Sequence, residues 1–127
     1  RLSMSDLLLT AIADVADLPL DEAVPKILRA ALHQYETNPR LTAALEAAEA
    51  RLPTDHDVMN RRYSVRDGMI ECLRNHGVAD PKTAAADIIA MTRGIVMTAL
   101  SAGNVNYDAL RARTTRAALG YLAYRAD

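Results

Sequence analysis

Two arginines one helical turn apart, Arg62 and Arg66, stand where apolar side chains are expected. Their neighbours at helical spacing are Val58, Met59, Tyr63, Val65, Met69, Ile70 and Leu73. Asn60, Ser64, Asp67, Glu71 and Arg74 fall on the other side. A guanidinium taken out of water without a partner is very costly. One of the two could line a pocket and grip a polar or anionic group of a small molecule by a forked hydrogen bond. Alternatively it forms a structural ion pair with Glu46, Glu49 or Asp87, or packs its stem while the head reaches water. Met59, Met69, Met91 and Met97, with Tyr35 and Tyr63, offer the soft lining of an adaptable pocket, or simply fill the core of an alanine-rich protein.

Other chemistry is thinly supplied. His33, His56 and His76 are scattered over different segments. His33 and Glu36 are one turn apart, but a helical di-iron site takes several carboxylates and such pairs from two helices. Asp55-His56-Asp57 falls at a helix start, where acidic residues already serve the exposed N–H groups. Cys72 has no basic residue placed to activate it, and neither a serine elbow nor a glycine-rich phosphate loop is present. The reading is therefore no metal, no cofactor and no enzyme. LRNHGVADPKT, from Leu73 to Thr83, resembles the glycine turn of a helix-turn-helix only faintly. The stretch from Val78 to Thr83 is long for such a turn, and Asp80-Pro81 reads as a fresh helix start. Arg111, Arg113 and Arg116 read as a solvated face, so this stretch of chain is not expected to touch DNA.

These residues have to be held by helices. Ser3 and Ser5 can cap a first helix of about 4–16, which Leu18-Pro19 breaks. Asp21 caps a second helix to about Tyr35, with Pro25 in its first turn and a stripe of Val24, Ile27, Leu28, Ala31, Leu32 and Tyr35. Lys26, Arg29, His33 and Glu36 are left outside. Asn38-Pro39 opens a short third helix to about Arg51. Thr54 and Asp57 resemble a capping box for a fourth, about 55–76, that Gly77 stops. Asp80-Pro81 starts a fifth that Gly103 ends, and Asn106 caps a sixth from Tyr107 to about Arg125. No strand, repeat or flexible linker is expected.

Length and composition agree with one all-helical domain. The chain has 127 residues, enough for one core, and is without Trp or Phe. A net charge of −1 gives no global attraction to nucleic acid or anionic membrane. The single cysteine excludes an internal disulfide and fits a reducing cytoplasm. No apolar run approaches the ~20 residues of a membrane span. The chain opens on Arg1 rather than Met, so a segment upstream is expected.

The fifth helix has two unlike sides. Ala85, Ile88, Ile89, Thr92, Ile95, Val96, Ala99 and Leu100 make a wide apolar face. Thr83, Asp87, Ala90, Gly94, Thr98 and Ser101 make a small one. Glycine in mid-helix costs ~1 kcal/mol against alanine, so Gly94 points to a close approach by another backbone. A helix of this kind is covered on both sides, and one chain of this size would struggle to do that alone. A partner chain is expected.

From Gly77 to Leu122 the sequence is similar to the C-terminal end of tetracycline-repressor (TetR) family transcriptional regulators. The resemblance rests on Gly-Val-x-Asp-Pro, the alanine-rich stretch that follows, Gly94 before Ile95, the Gly103 stop, and Asp108, Leu110, Leu119 and Leu122. NPRLTAALEAAEARL and RRYSVRDGMIECL upstream resemble it too. It implies an all-α orthogonal bundle of about six helices, whose last two pair with those of a second chain as a four-helix dimer interface. The earlier helices would enclose a small-molecule effector. The family's N-terminal helix-turn-helix is absent from residues 1–127, so DNA would be bound only through that missing part. The expected pocket wall is Leu28, Leu32, Tyr35, Met59, Tyr63, Arg66, Met69, Ile70, Met91, Thr92 and Ile95, with Arg62 or Arg66 as polar anchor. The expected homodimer interface is Asp87, Ala90, Gly94, Thr98 and Ser101, with Ala117, Ala118, Tyr121 and Leu122. The competing reading is a helical protein–protein module without a ligand.

Overall fold

The computed structural model describes residues 4–37 and 56–124, and within them the side chains of 8–33, 35–37 and 66–124. Among the described residues there are five helices and no strand. They are α1 (Met4–Asp14), α2 (Leu20–Thr37), α3 (His56–Asn75), α4 (Pro81–Ala102) and α5 (Tyr107–Ala123). The helix expected over 39–51 lies outside the described residues.

The helices close a ring. α1 packs on α2 and α3, α2 on α5, α3 on α4, and α4 on α5. Two apolar clusters fill it. One joins Ile12 and Val15 to Val24, Ile27 and Leu28 of α2, Met69, Cys72 and Leu73 of α3, and Ala84, Ala85 and Ile88 of α4. The other joins Leu32 and Tyr35 of α2 to Val96 of α4 and Leu110 of α5. The stripe read for α2 matches this burial, and Lys26, Arg29, His33 and Glu36 are all exposed.

Helix ends follow local chemistry, with two corrections. α2 starts at Leu20 because the Pro19 carbonyl already accepts from Glu22 and Ala23 N–H, at 3.0 and 2.8 Å. Asp21 is therefore inside the first turn rather than its cap, where its charge favours the helix N-terminus. Pro25 then lies beyond the first turn, and its missing N–H leaves the carbonyl of exposed Asp21 to water. α3 ends in a Schellman turn. Gly77 has φ +77°, Val78 N–H reaches Leu73 C=O at 3.0 Å, and Gly77 N–H reaches Arg74 C=O at 3.0 Å. Val78 packs against the cluster holding Leu73, the apolar contact such turns favour. Asp80 and Asn106 cap α4 and α5, accepting from Thr83 N–H at 3.5 Å and Ala109 N–H at 3.1 Å.

α4 is the one helix among the described residues long and apolar enough to cross a membrane. It carries Asp87 and Arg93 near its middle, however, and packs between α3 and α5.

Candidate functional site

The residues read as a pocket wall fall into the two clusters. Leu28 and Met69 are buried in the first, with Ile70 and Met91 packed against it. Leu32 and Tyr35 are buried in the second, with Ile95 beside them. Thr92 is half-buried on α4. Met59, Arg62 and Tyr63 lie on the first half of α3, where side chains are outside those described. Arg66 is exposed, so its head is in water. Asp87, considered above as its partner, is engaged elsewhere. The Tyr121 hydroxyl donates to Asp87 Oδ2 at 2.6 Å, across from α5 to α4. That bond, then burial and the charges of Asp87 and Asp80, push the Tyr121 phenol above its ordinary value.

The expected interface residues divide in an informative way. Ala90, Gly94, Thr98 and Ser101 are exposed along α4, and Ala117, Tyr121 and Leu122 are half-buried on α5. Ala118 has to be removed from the set. It is 1% exposed within the single chain, in the first cluster, and has no surface left to offer. A Cβ built at Gly94 meets nothing within 4 Å, and the same is true of Gly120 on α5. The close approach expected at Gly94 is thus absent within one chain. The tight glycine is Gly68 of α3, against side-chain ends rather than a backbone: a Cβ there would lie 3.1 Å from Leu9 Cδ2 and 3.5 Å from Ile12 Cδ1 of α1. Nothing in the sequence near Gly68 points to α1, because the neighbour is set by the helix crossing.

α5 is also fastened to α2. Arg111, read as part of a solvated face, bonds Glu36 Oε2 at 2.6 Å and pairs with Asp108. Tyr107 O–H donates to the Tyr35 carbonyl at 3.0 Å. Beside Arg111 an open groove of about 510 Å³ runs between Pro25 and Arg29 of α2 and Asp108, Ala112, Thr115 and Arg116 of α5. The charge of Arg111 is already matched, and Arg29 and Arg116 are exposed, where water screens an added anion.

Cys72, read as having no basic neighbour, has His76 Nδ1 3.8 Å from its sulfur, one turn on; its thiol is nevertheless buried and pushed up by that burial, away from the thiolate that reactive cysteines need. Among the described residues no group of three or more His, Cys, Asp and Glu side chains is placed to hold a metal ion. His76, which sequence reasoning left without a role, has both ring nitrogens against backbone carbonyls, Cys72 O at 2.7 Å and Leu18 O at 2.6 Å. Its place beside the stop glycine of a helix, where cations are favoured, is the signal that could have found it.

What the arrangement offers is two buried apolar clusters, an outward face of small residues on α4 and α5, and no convergent acid, base and nucleophile among the described side chains. Comparison with curated proteins and with solved structures finds no match. A family profile described as the tetracyclin repressor-like C-terminal domain matches residues 19–122, from the residue before α2 almost to the end of α5. The chain belongs to the TetR family of transcriptional regulators, as a C-terminal domain of that family.

Proposed function

We propose that this domain senses a small-molecule effector and dimerises, passing the state of the effector to a DNA-binding part elsewhere in the regulator. The observation that carries the reading is the uncovered face of the α4–α5 pair. Ala90, Gly94, Thr98 and Ser101 are exposed, and Gly94 and Gly120 both have open space where a side chain would go. Glycine in an exposed mid-helix position is unfavourable by ~1 kcal/mol, and a second backbone lying close against it supplies a reason for keeping it. Asp87 and Tyr121 are bonded across the α4–α5 seam, and half-buried Ala117 and Leu122 of α5 complete the proposed contact.

The effector is bound among α2, α3 and α4. Leu28, Leu32, Tyr35, Met69, Ile70, Met91, Thr92 and Ile95 supply an apolar wall, joined by Met59 and Tyr63. Arg62 or Arg66 anchors a polar or anionic group, Arg66 from the mouth of the site, since it is exposed. An effector that favours one dimer geometry changes the spacing of two DNA-reading heads and so shifts operator binding.

A thermal-shift screen of the purified chain against apolar compounds with and without a carboxylate tests the pocket. A ligand at about a hundred times its Kd stabilises by about 2.7 kcal/mol, several degrees for a domain of this size. At least one class is expected to raise Tm, and Arg66→Ala or Arg62→Ala to weaken the carboxylates more than the neutral compounds. A flat response across the screen would favour a protein–protein module without a ligand.

A further inference from the structure

His76 closes α3, and its ring sits between two groups that only accept hydrogen bonds. Nδ1 lies 2.7 Å from the Cys72 carbonyl, one turn back on the same helix. Nε2 lies 2.6 Å from the Leu18 carbonyl in the turn between α1 and α2, 58 residues away in sequence. A neutral imidazole has one N–H and one lone pair, so it can satisfy one of these oxygens and must set a lone pair against the other. The imidazolium donates to both. The C-terminal end of a helix is in addition where a positive charge is favoured.

One neighbour bears on this balance: the Cys72 thiol can donate to Nδ1 of the neutral ring, a longer and weaker contact than the 2.7 Å bond to the Cys72 carbonyl that it would replace. On α3, the Cys72 thiol lies 3.8 Å from Nδ1 and burial keeps it protonated, while Glu71 and Arg74 pair with each other. Asp17 of the α1–α2 turn is exposed, and the Asp80 carboxylate accepts from Thr83 N–H before α4. The ring responds to its two carbonyl contacts, Cys72 first and Leu18 second, which together outweigh the opposing effect of burial and hold the proton more tightly than a free imidazole does.

We propose that His76 is a proton-operated staple between the C-terminal end of α3 and the α1–α2 turn, closed when the ring is charged and loosened when it is neutral. The turn it holds carries Val15, buried in the first cluster, and Leu18, packed against that cluster. Loosening is therefore felt along α1, where Leu9 and Ile12 cover Gly68. The staple depends on the fold alone and stands whether or not the domain takes an effector. Because the folded chain holds the proton more tightly, the stabilisation is complete below the free-imidazole value of 6.5. It is lost as pH rises through the higher folded value. For every tenfold by which folding tightens the proton, the folding constant falls tenfold across that window.

The test is a nitrogen-15 NMR titration of the ring in the intact chain, with the His76 signal assigned from His76→Gln. Both ring nitrogens protonated at about pH 6.5, with a midpoint above 6.5, are the expected result. A midpoint at or below 6.5, or one neutral tautomer at about pH 6, overturns the proposal. Thermal unfolding at about pH 6 and about pH 8.5 gives the second readout. The unmodified chain loses more stability over that interval than His76→Gln, whose amide does not titrate; equal losses overturn the staple. Should His76→Gln fail to fold, His33→Gln and His56→Gln assign the other two of the three histidine signals, and the titration of the unmodified chain decides.

Discussion

Leu32 is fully buried and joins three helices through Tyr35, Val96 and Leu110, so Leu32→Ala tests the packing that any pocket must adjoin. The change removes three carbons at about 0.8 kcal/mol each, about 2.4 kcal/mol of lost burial. A residual void of about 40–50 Å³ adds about 1 kcal/mol. A compact unfolded chain lowers the first part by some tenths, leaving a loss of about 3 kcal/mol. Against a total of about 5–15 kcal/mol for a domain, that is a large fraction. Urea unfolding followed by circular dichroism at one fixed protein concentration reads it, since dimerisation would make stability depend on concentration. With a slope of about 1.5 kcal/mol/M the midpoint falls by about 2 M. A loss under about 1 kcal/mol would mean that the contacts of Leu32 with Tyr35, Val96 and Leu110 hold little of its side chain, and would refute the reasoning whether or not a pocket adjoins it.

Two further outcomes follow from named contacts. Gly68→Leu forces a side chain into Leu9 and Ile12 and lowers stability by about 1–3 kcal/mol, whereas Gly94→Leu, on an exposed position with open space around its Cβ, leaves monomer stability unchanged or slightly higher. Equal losses in the two variants would refute that contrast. Asp87→Asn removes the carboxylate that accepts from Tyr121 and brings the Tyr121 phenol back toward its ordinary value of 10.0, read by ultraviolet titration of tyrosinate. Because folding raises that phenol, its contribution is present below 10.0 and lost as pH rises through the folded value. An unchanged tyrosinate titration in Asp87→Asn would remove Asp87 as the cause.

Much of the fold was legible because it is local. The stripe on α2, the glycine stop at Gly77 and the asparagine cap at Asn106 depend on residues within a turn or two, and periodicity reports them. What was missed depends on partners far along the chain. Arg111 reads as solvated until Glu36, 75 residues away, is brought beside it. Asp87 reads as a possible partner for an arginine, but the α4–α5 crossing gives it Tyr121. Ala118 shares the apolar side of α5 with Ala117, and only the neighbours of that helix tell the buried position from the half-open one. Glycines show the limit most plainly: Gly68 and Gly94 look alike in sequence, yet one faces α1 and the other open space. The pocket was readable only as a list of apolar positions, because a cavity is set by how side chains fail to meet.

The association of two copies through the small-residue face of α4 and α5 is the claim on which the functional reading rests. Sedimentation equilibrium of the purified chain beside Gly94→Leu tests it most directly. The unmodified chain is expected to be a dimer, and Gly94→Leu a folded monomer or a dimer at least tenfold weaker. A monomer at all concentrations, or a dimer whose affinity Gly94→Leu leaves unchanged, would contradict it.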